Sequence, residues 1–226
     1  MTELDVPRGA VAPDVDIALL RARLRVTGLD AEDLADDPLE QFGRWHTEWA
    51  DTRPVDSNAT VLCTVDPDGR PDGRYVDLAR VDRGFVLLTD FDSPKALDLT
   101  ANPHAALCFG WLALDRQVCV RGHVERLSDI DSDGYFGATP RPVQLLVWAT
   151  DQSRSIGGRN VVEDRLVHAR QRFAGQEIPR PRHWGGYRLI PYELEFWQGR
   201  ANLVADRLLC QRSALSEPWT VARLAP

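Results

Sequence analysis

The sequence predicts a mainly β protein with α-helices: a small antiparallel β-barrel with peripheral helices. Three observations predict it. From Asn58 onward, short apolar runs follow one another, separated by Gly, Pro and Asp turn residues. Helical patterns are inserted among these runs without a strict strand–helix alternation, which argues against a parallel βαβ sheet. No G-x-G-x-x-G opens a dinucleotide-binding turn.

The elements follow in order. Residues 1–15, acidic and Pro-bearing, are expected to form a mobile arm, and residues 16–226 one domain. Ile17 to Val26 has the pattern of a short amphipathic helix. Asp36-Asp37-Pro38 supplies an N-cap followed by Pro at the first helical position. It opens a second helix with Leu39, Phe42, Trp45 and Trp49 at helical spacing. NATVLCTV then predicts a strand, PDGRPDG a turn, RYVDLARV a second strand and FVLLTD a third. SPKALDLTANP predicts a helix begun by Ser93 and ended by Asn102-Pro103. AALCFGWLAL and RQVCVRGHVERL predict two more strands. In the second, Val118, Val120, Gly122 and Val124 share one face, and Cys119, Arg121, His123 and Glu125 the other. Residues 128–175 carry three helical segments, and EIPRPRHW is a Pro-rich connector. WGGYRLIPYELEFWQG, DRLLCQRS and WTVARLAP close the chain as strands.

Composition narrows the function. The net charge of −7 argues against nucleic acid as a partner, although a few local cations can still hold one phosphate. No apolar run approaches the ~20 residues that span a bilayer. The N-terminus lacks the basic-then-apolar pattern of a secretory signal, so a cytoplasmic protein that avoids membranes is expected. Cys63, Cys108, Cys119 and Cys210 form no Cys-x-x-Cys. Cys63 and Cys119 lie in apolar runs and are expected to pack in the core. The five histidines have no ligand spacing, and no metal site is expected.

Seven segments in register carry a resemblance. ATVLCTVDPDGRPDGRYV, RQVCVRGHVERL, QSRSI, WGGYRL, EFWQG, DRLLCQR and the terminal RLAP resemble pyridoxamine 5'-phosphate oxidases, in the same order and at nearly the same spacing. The resemblance runs from about residue 20 to the last residue. It implies an FMN-binding split β-barrel and a homodimer, with the cofactor between the two chains. Some relatives of this barrel use a deazaflavin instead.

Residue by residue, the resemblance places Arg74 and Lys95 near the FMN phosphate, with Tyr75, Val76 and Asp77 beside Arg74 on the second strand. Leu88 and Thr89, then Gln117, Gln152, Ser153, Trp197 and Arg207, fill the other cofactor positions. The Arg that precedes the family's Lys is Pro94 in this chain.

The substrate side departs from the pattern. The family's Lys, Tyr, Arg and Ser that hold the vitamin B6 phosphate correspond to Ala79, Tyr135, Thr139 and Val143. The Arg and His over the reacting face correspond to Leu203 and Ala205. Near the N-terminus the family's Arg is matched by Arg21, and the Tyr three residues on by Leu24. Hydrogen bonds to charged groups contribute ~1.5–3 kcal/mol each, so losing Lys, Arg and Ser costs roughly 4–8 kcal/mol, about three to six orders of magnitude in affinity.

The reading is therefore an FMN-dependent oxidase or dehydrogenase. It takes a hydride from a small, non-phosphorylated apolar or heteroaromatic metabolite in secondary metabolism and passes electrons to O₂. Arg21 and Tyr135 are the catalytic-site candidates, as groups that orient the substrate. Two alternatives stand beside it. One is a B6-phosphate oxidase with ligands relocated to Arg141, Arg200 or Arg21, and the other a non-catalytic flavin or small-molecule binder.

Overall fold

The computed structural model describes residues 15–226, so the expected arm lies, apart from Val15, outside the described residues. Among those residues are eight strands: β1 (Ala59–Val65), β2 (Pro71–Val81), β3 (Phe85–Asp90), β4 (His104–Trp111), β5 (Arg116–Arg126), β6 (Trp184–Gln198), β7 (Asp206–Gln211) and β8 (Thr220–Arg223). Six helices accompany them: α1 (Ile17–Thr27), α2 (Pro38–Asp51), α3 (Pro94–Ala101), α4 (Asp129–Ala138), α5 (Arg141–Ala149) and α6 (Arg159–Arg172). None is long and apolar enough to cross a membrane.

The sheet order is β3-β2-β1-β4-β5-β6-β7-β8, and a further β3–β6 pairing closes the first six strands into an antiparallel barrel. The long β6 makes closure possible. Its residues from Trp184 to Leu189 pair with β3, and those from Glu193 to Gln198 pair with β7. Pro191 lacks an N–H for the ladder, and the β5–β6 register shifts beside it, between Arg121 and Gly122. The backbones crowd at that shift. A Cβ on Gly122 would lie 2.4 Å from the Ile190 carbonyl oxygen, so only glycine fits.

Helix α2 plugs the barrel. Asp37 caps it by accepting from the Leu39 N–H, and Pro38 sits at the first turn. Phe42, wholly buried, meets Phe85 edge-on at 4.9 Å and Phe109 at 4.7 Å. Trp45 packs on Phe196 at 5.3 Å, with the Arg116 guanidinium 4.1 Å above its ring. Deleting such a ring typically costs ~3–5 kcal/mol, so Phe42 is a strong anchor of the barrel. A second apolar cluster, with Phe136, Leu145, Phe173 and Trp184, holds α4, α5 and α6 outside the barrel wall.

Four local expectations need correction. The fourth strand stops at Trp111, because Leu112–Leu114 form a 3₁₀ turn that ends on left-handed Asp115 (φ 53°). The PDGRPDG turn is shorter than expected, since Pro71, Asp72 and Gly73 already belong to β2. Ser93 starts α3 by position, but its hydroxyl donates to the Asp90 carbonyl at 2.7 Å and caps no helix N–H. Cys63 is exposed in the single chain: Leu62 and Thr64 take the inward face of β1, and alternation turns Cys63 outward. Cys119 is half-buried on the same outer side of the sheet as its cross-strand partner Cys108.

Candidate functional site

The residues expected at the site fall into two groups, on different stretches of the barrel strands. The first gathers around Lys95, on the first turn of α3, which Pro94 opens beside the end of β3. Lys95 is 9% exposed. Its Nζ donates to Gln152 Oε1 at 2.8 Å and to Thr89 Oγ1 at 3.2 Å, and Thr89 Oγ1 in turn donates to Gln152 at 3.2 Å. Both acceptors of the buried ammonium are thus neutral oxygens.

Arg74 lies beside this group on β2. Its Nη1 donates to Thr64 Oγ1 at 2.7 Å and to the Leu62 carbonyl at 3.2 Å, while its Nη2 meets Asp72 and stands 4.0 Å from Asp98. Burial first, and then the charge of Arg74, hold the Lys95 ammonium below the usual lysine range. Two cations brought together in a desolvated corner cost stability in the free chain, and an anionic ligand relieves that cost. Leu88 and Val76 line the narrow cleft next to Lys95, together with Leu99 and Tyr187. Tyr75 is 79% exposed on the outer face of β2, where Asp77 is exposed too. Ser153, left-handed at φ 65°, follows Gln152 in an exposed turn.

The second group crosses three strands. Gln117 on β5 stands opposite Trp197 on β6, which stands opposite Arg207 on β7. On the other side of Gln117 is Gly110 of β4, which leaves the row open there. Gln117 donates to Cys119 Sγ at 3.4 Å, and Arg207 donates to Glu195 at 2.8 Å and to the Ala225 carbonyl at 2.9 Å. Thr89 of the first group pairs with Gly185 near the start of β6, whereas Trp197 lies near its end. At ~3.3 Å per residue the strand between them is up to about 40 Å long.

The substrate-side residues divide in the same way. Ala79 lies on β2. Tyr135, Thr139 and Val143 follow along α4 and α5, and Tyr135 and Leu88 both pack on the outer apolar cluster. The Thr139 hydroxyl donates to the Tyr135 carbonyl at 2.9 Å, and Val143 is 44% exposed. Arg21 and Leu24 lie on α1, which is tied to the loop bearing Leu203 and Ala205: the Ala201 N–H donates to the Arg25 carbonyl at 3.2 Å, and Arg200 donates to the Thr27 carbonyl at 2.7 Å. Arg21 pairs with Asp115 at 2.6 Å. Leu203 is left-handed (φ 68°) and 85% exposed, an apolar side chain held outward at an energetic cost.

The sequence reading missed one residue of this region. The β2–β3 register shifts between Leu78 and Arg80, with Leu78 opposite Leu87 and Arg80 opposite Val86, so Ala79 is the extra residue of a β-bulge. The bulge shifts Arg80 against β3, and the charge of Arg80 acts on the Tyr135 phenol. Burial raises the Tyr135 phenol above its ordinary range, and Arg80 opposes that rise. Only the neighbouring strand reveals a bulge, so no local signal marked Arg80. Among the described residues no cluster of His, Cys, Asp and Glu could hold a metal ion.

Comparison with known proteins sets this geometry in context. A family profile described as pyridoxamine 5'-phosphate oxidase matches residues 46–173, and one described as the pyridoxine 5'-phosphate oxidase C-terminal dimerisation region matches residues 184–226. The pyridoxine/pyridoxamine 5'-phosphate oxidase of Cupriavidus necator is 45% identical over 211 residues, 93% of this chain and 99% of that protein. The protein of the same name from Gloeothece citriformis is 42% identical over 214 residues, 94% of this chain and 100% of that one. The crystal structure of PhzG from Burkholderia lata, in complex with tetrahydrophenazine-1-carboxylic acid, superposes with a TM-score of 0.83 at 25% identity. It covers 89% of this chain and 100% of its own.

Proposed function

The chain belongs to the pyridoxamine 5'-phosphate oxidase family, a family of FMN-dependent oxidases, and from that premise we propose that it oxidises a small, non-phosphorylated ring compound at a site shared by two copies of the chain. The C-terminal match to a dimerisation region supports the homodimer.

The first group of residues fits the phosphate of FMN. Lys95 offers an ammonium bonded only to neutral oxygens, and Arg74 and Thr89 add donors beside it. Gln117, Trp197 and Arg207 suit the flavin ring, with an amide for its polar edge, an indole for its face and a guanidinium. Their place near the end of β6, where Thr89 and Lys95 lie beside its start, supports the reading that one chain supplies the phosphate end and its partner the ring end. A flavin held there would supply a hydride acceptor for the substrate and a route for the electrons, in our reading to O₂. The chain's own part is to hold the ring, orient the substrate and keep water out.

The observation that carries the substrate reading is the state of the arginines named above as candidates to replace the phosphate ligands. Arg141 donates to the Phe173 and Gln176 carbonyls, at 2.5 and 2.9 Å. Arg200 is held by the Thr27 carbonyl and Asp206, and Arg21 by Asp115. Each has structural work in this chain, and Ala79 and Val143 offer no side-chain polar atom. Apart from Tyr135 and the neighbouring Arg80, what remains is an apolar lining completed by Leu203 and Ala205, which suits an apolar or heteroaromatic substrate. The reduced heterocycle bound to PhzG supports the same substrate class.

The names of the 42–45% identical relatives favour a second reading, oxidation of a B6 phosphate. One experiment separates the two. Under anaerobic conditions, substrates from a panel of reduced heterocycles are expected to bleach the flavin, with little bleaching by pyridoxamine or pyridoxine 5'-phosphate. Rapid bleaching by a B6 phosphate, with none across the panel, would overturn the first reading.

A further inference from the structure

We infer that Cys108 and Cys119 form an oxidisable dithiol, a modification site that hydrogen peroxide closes to a disulfide and that acts on the flavin ring through Gln117. The effect on the cofactor rests on the reading of Gln117 above; the bond itself does not. The two cysteines stand directly opposite each other on β4 and β5, half-buried on the outer face of the sheet. The Cys119 thiol donates to Cys108 Sγ at 3.9 Å. Gln117, two residues before Cys119 and on the same face, donates its amide to Cys119 Sγ at 3.4 Å. The other cysteines are placed differently. Cys63 lies diagonally from Cys108 across β1 and β4, where the usual spacing of about 7–8 Å exceeds the reach of a disulfide. Cys210 is buried in the core.

The surroundings set the order of the chemistry. The hydrogen bond from Cys119 holds the Cys108 thiol down at about 7, against burial. That same bond, burial and the charges of Cys108 and Glu195 push the Cys119 thiol up, and Arg121 opposes them. Glu195 stands opposite Cys119 on β6 and pairs with Arg207, while Arg121 pairs with Glu193. Cys108 is therefore the thiolate that reacts first. It attacks one oxygen of the peroxide: an S–O bond forms, the O–O bond breaks, and the leaving hydroxide takes the proton that Cys108 gave up. The Cys119 sulfur then attacks Cys108: the S–S bond forms, the S–O bond breaks, and the Cys119 proton leaves with that oxygen as a second water. Two thiols are oxidised and one peroxide is reduced to two waters. A flavin oxidase that passes electrons to O₂ releases this oxidant beside Gln117. Opposed strand residues keep their Cβ atoms about 4.5–5.5 Å apart, wider than the ~3.8 Å of an unstrained disulfide, so a small thiol reduces the bond again. Closure draws Cys119 Sγ towards Cys108. Gln117 then loses its acceptor, and the flavin alone must order its amide.

The test treats the FMN-loaded protein with hydrogen peroxide, blocks the remaining thiols and maps the tryptic peptides by mass. Trypsin cuts after Arg116, between the two cysteines, so the disulfide holds residues 96–116 and 117–121 together. The linked pair is expected in the wild type and in Cys63→Ser, and dithiothreitol should release it. Cys108→Ser and Cys119→Ser should each abolish it. Oxidation should weaken FMN binding by about two- to tenfold, the worth of one neutral hydrogen bond, and reduction should restore it. In Gln117→Leu the bond should form as before while this change in affinity disappears. The wild-type map needs no variant, so a variant that fails to fold leaves the test intact. Peptides that stay unlinked in excess peroxide, or a link made to Cys63 instead, overturn the inference. A disulfide that leaves FMN affinity unchanged overturns the action through Gln117. A reduced protein that takes up no FMN overturns the flavin reading, and the peptide map then decides the dithiol by itself.

Discussion

Two neighbouring corners of the same barrel have diverged to different degrees. Around Lys95 the polar inventory expected of the family is nearly complete and internally bonded: Lys95, Thr89 and Gln152 form a closed triangle of hydrogen bonds, and Arg74 lies alongside. Around Ala79 it has been stripped to Tyr135, with Ala79, Thr139 and Val143 where the family resemblance expects charged or hydroxyl ligands. On the proposed reading, holding a cofactor and choosing a substrate are separable tasks on this scaffold: Arg74 of β2 and side chains at the end of β3 and the start of α3 would serve the first, and Ala79 of β2 with α4 and α5 the second.

The most severe way to break the comparison is to refill the stripped corner. The triple variant Ala79→Lys, Thr139→Arg, Val143→Ser restores the ligand types of the B6 phosphate site. It should bind pyridoxal 5'-phosphate about a thousandfold more tightly than the wild type, the low end of what three charge-assisted bonds supply. Equilibrium titration of the FMN-loaded protein measures it. If the wild type already binds as tightly as the triple variant, the corner is not stripped in any functional sense.

Next in size is the intact corner. Lys95→Met should weaken FMN binding by about 10- to 150-fold, the loss of one charge-assisted hydrogen bond, followed by quenching of flavin fluorescence. The same change should raise the thermal midpoint of the cofactor-free protein, since it removes a buried ammonium that Arg74 repels. Weaker cofactor with greater stability marks a functional cation. A loss of both would mark a structural one.

A mixed-dimer experiment asks whether the two groups serve one site. Lys95→Met damages the phosphate end and Gln117→Leu the ring end. If each site takes one end from each chain, random reassortment of the two variants places both lesions in one site of every heterodimer and leaves the other site intact. About a quarter of all sites should then bind FMN normally. No recovery on mixing would show that each chain builds its site alone.

Much of this arrangement was legible in the sequence. Asp37-Pro38 marked the start of α2, and the alternation of β5 placed Val118, Val120 and Val124 inward, as observed. The candidate site residues could be named from the register that seven segments set. Their division into two groups could not, because it depends on how β6 passes from β3 to β7, a long-range pairing without local signature. Arg80 was hidden for the same reason: a bulge is a mismatch between two strands, and neither strand records it. Cys63 was misjudged on simpler grounds, since an apolar run does not reveal which parity faces inward when Thr60 and Thr64 are the buried neighbours.

The smallest expected effect is a pH dependence, and its sign follows from Lys95. Burial and Arg74 lower the Lys95 pKa below its ordinary value of 10.5 in the free chain. A bound phosphate dianion favours the ammonium and raises that pKa again. Between the two values the complex holds a proton that the free protein lacks, so FMN affinity is full at neutral pH and begins to fall as pH rises through the lowered pKa, before 10.5 is reached. Below about pH 6 affinity should fall as well, because a phosphate monoester takes up its second proton there. Lys95→Arg keeps the positive charge at every accessible pH, so it should abolish the alkaline decline and retain the acidic one. Titrations of FMN at intervals from pH 5.5 to 10 would show it. An alkaline decline that persists unchanged in Lys95→Arg would move its origin to another group and weaken the assignment of Lys95 to the phosphate.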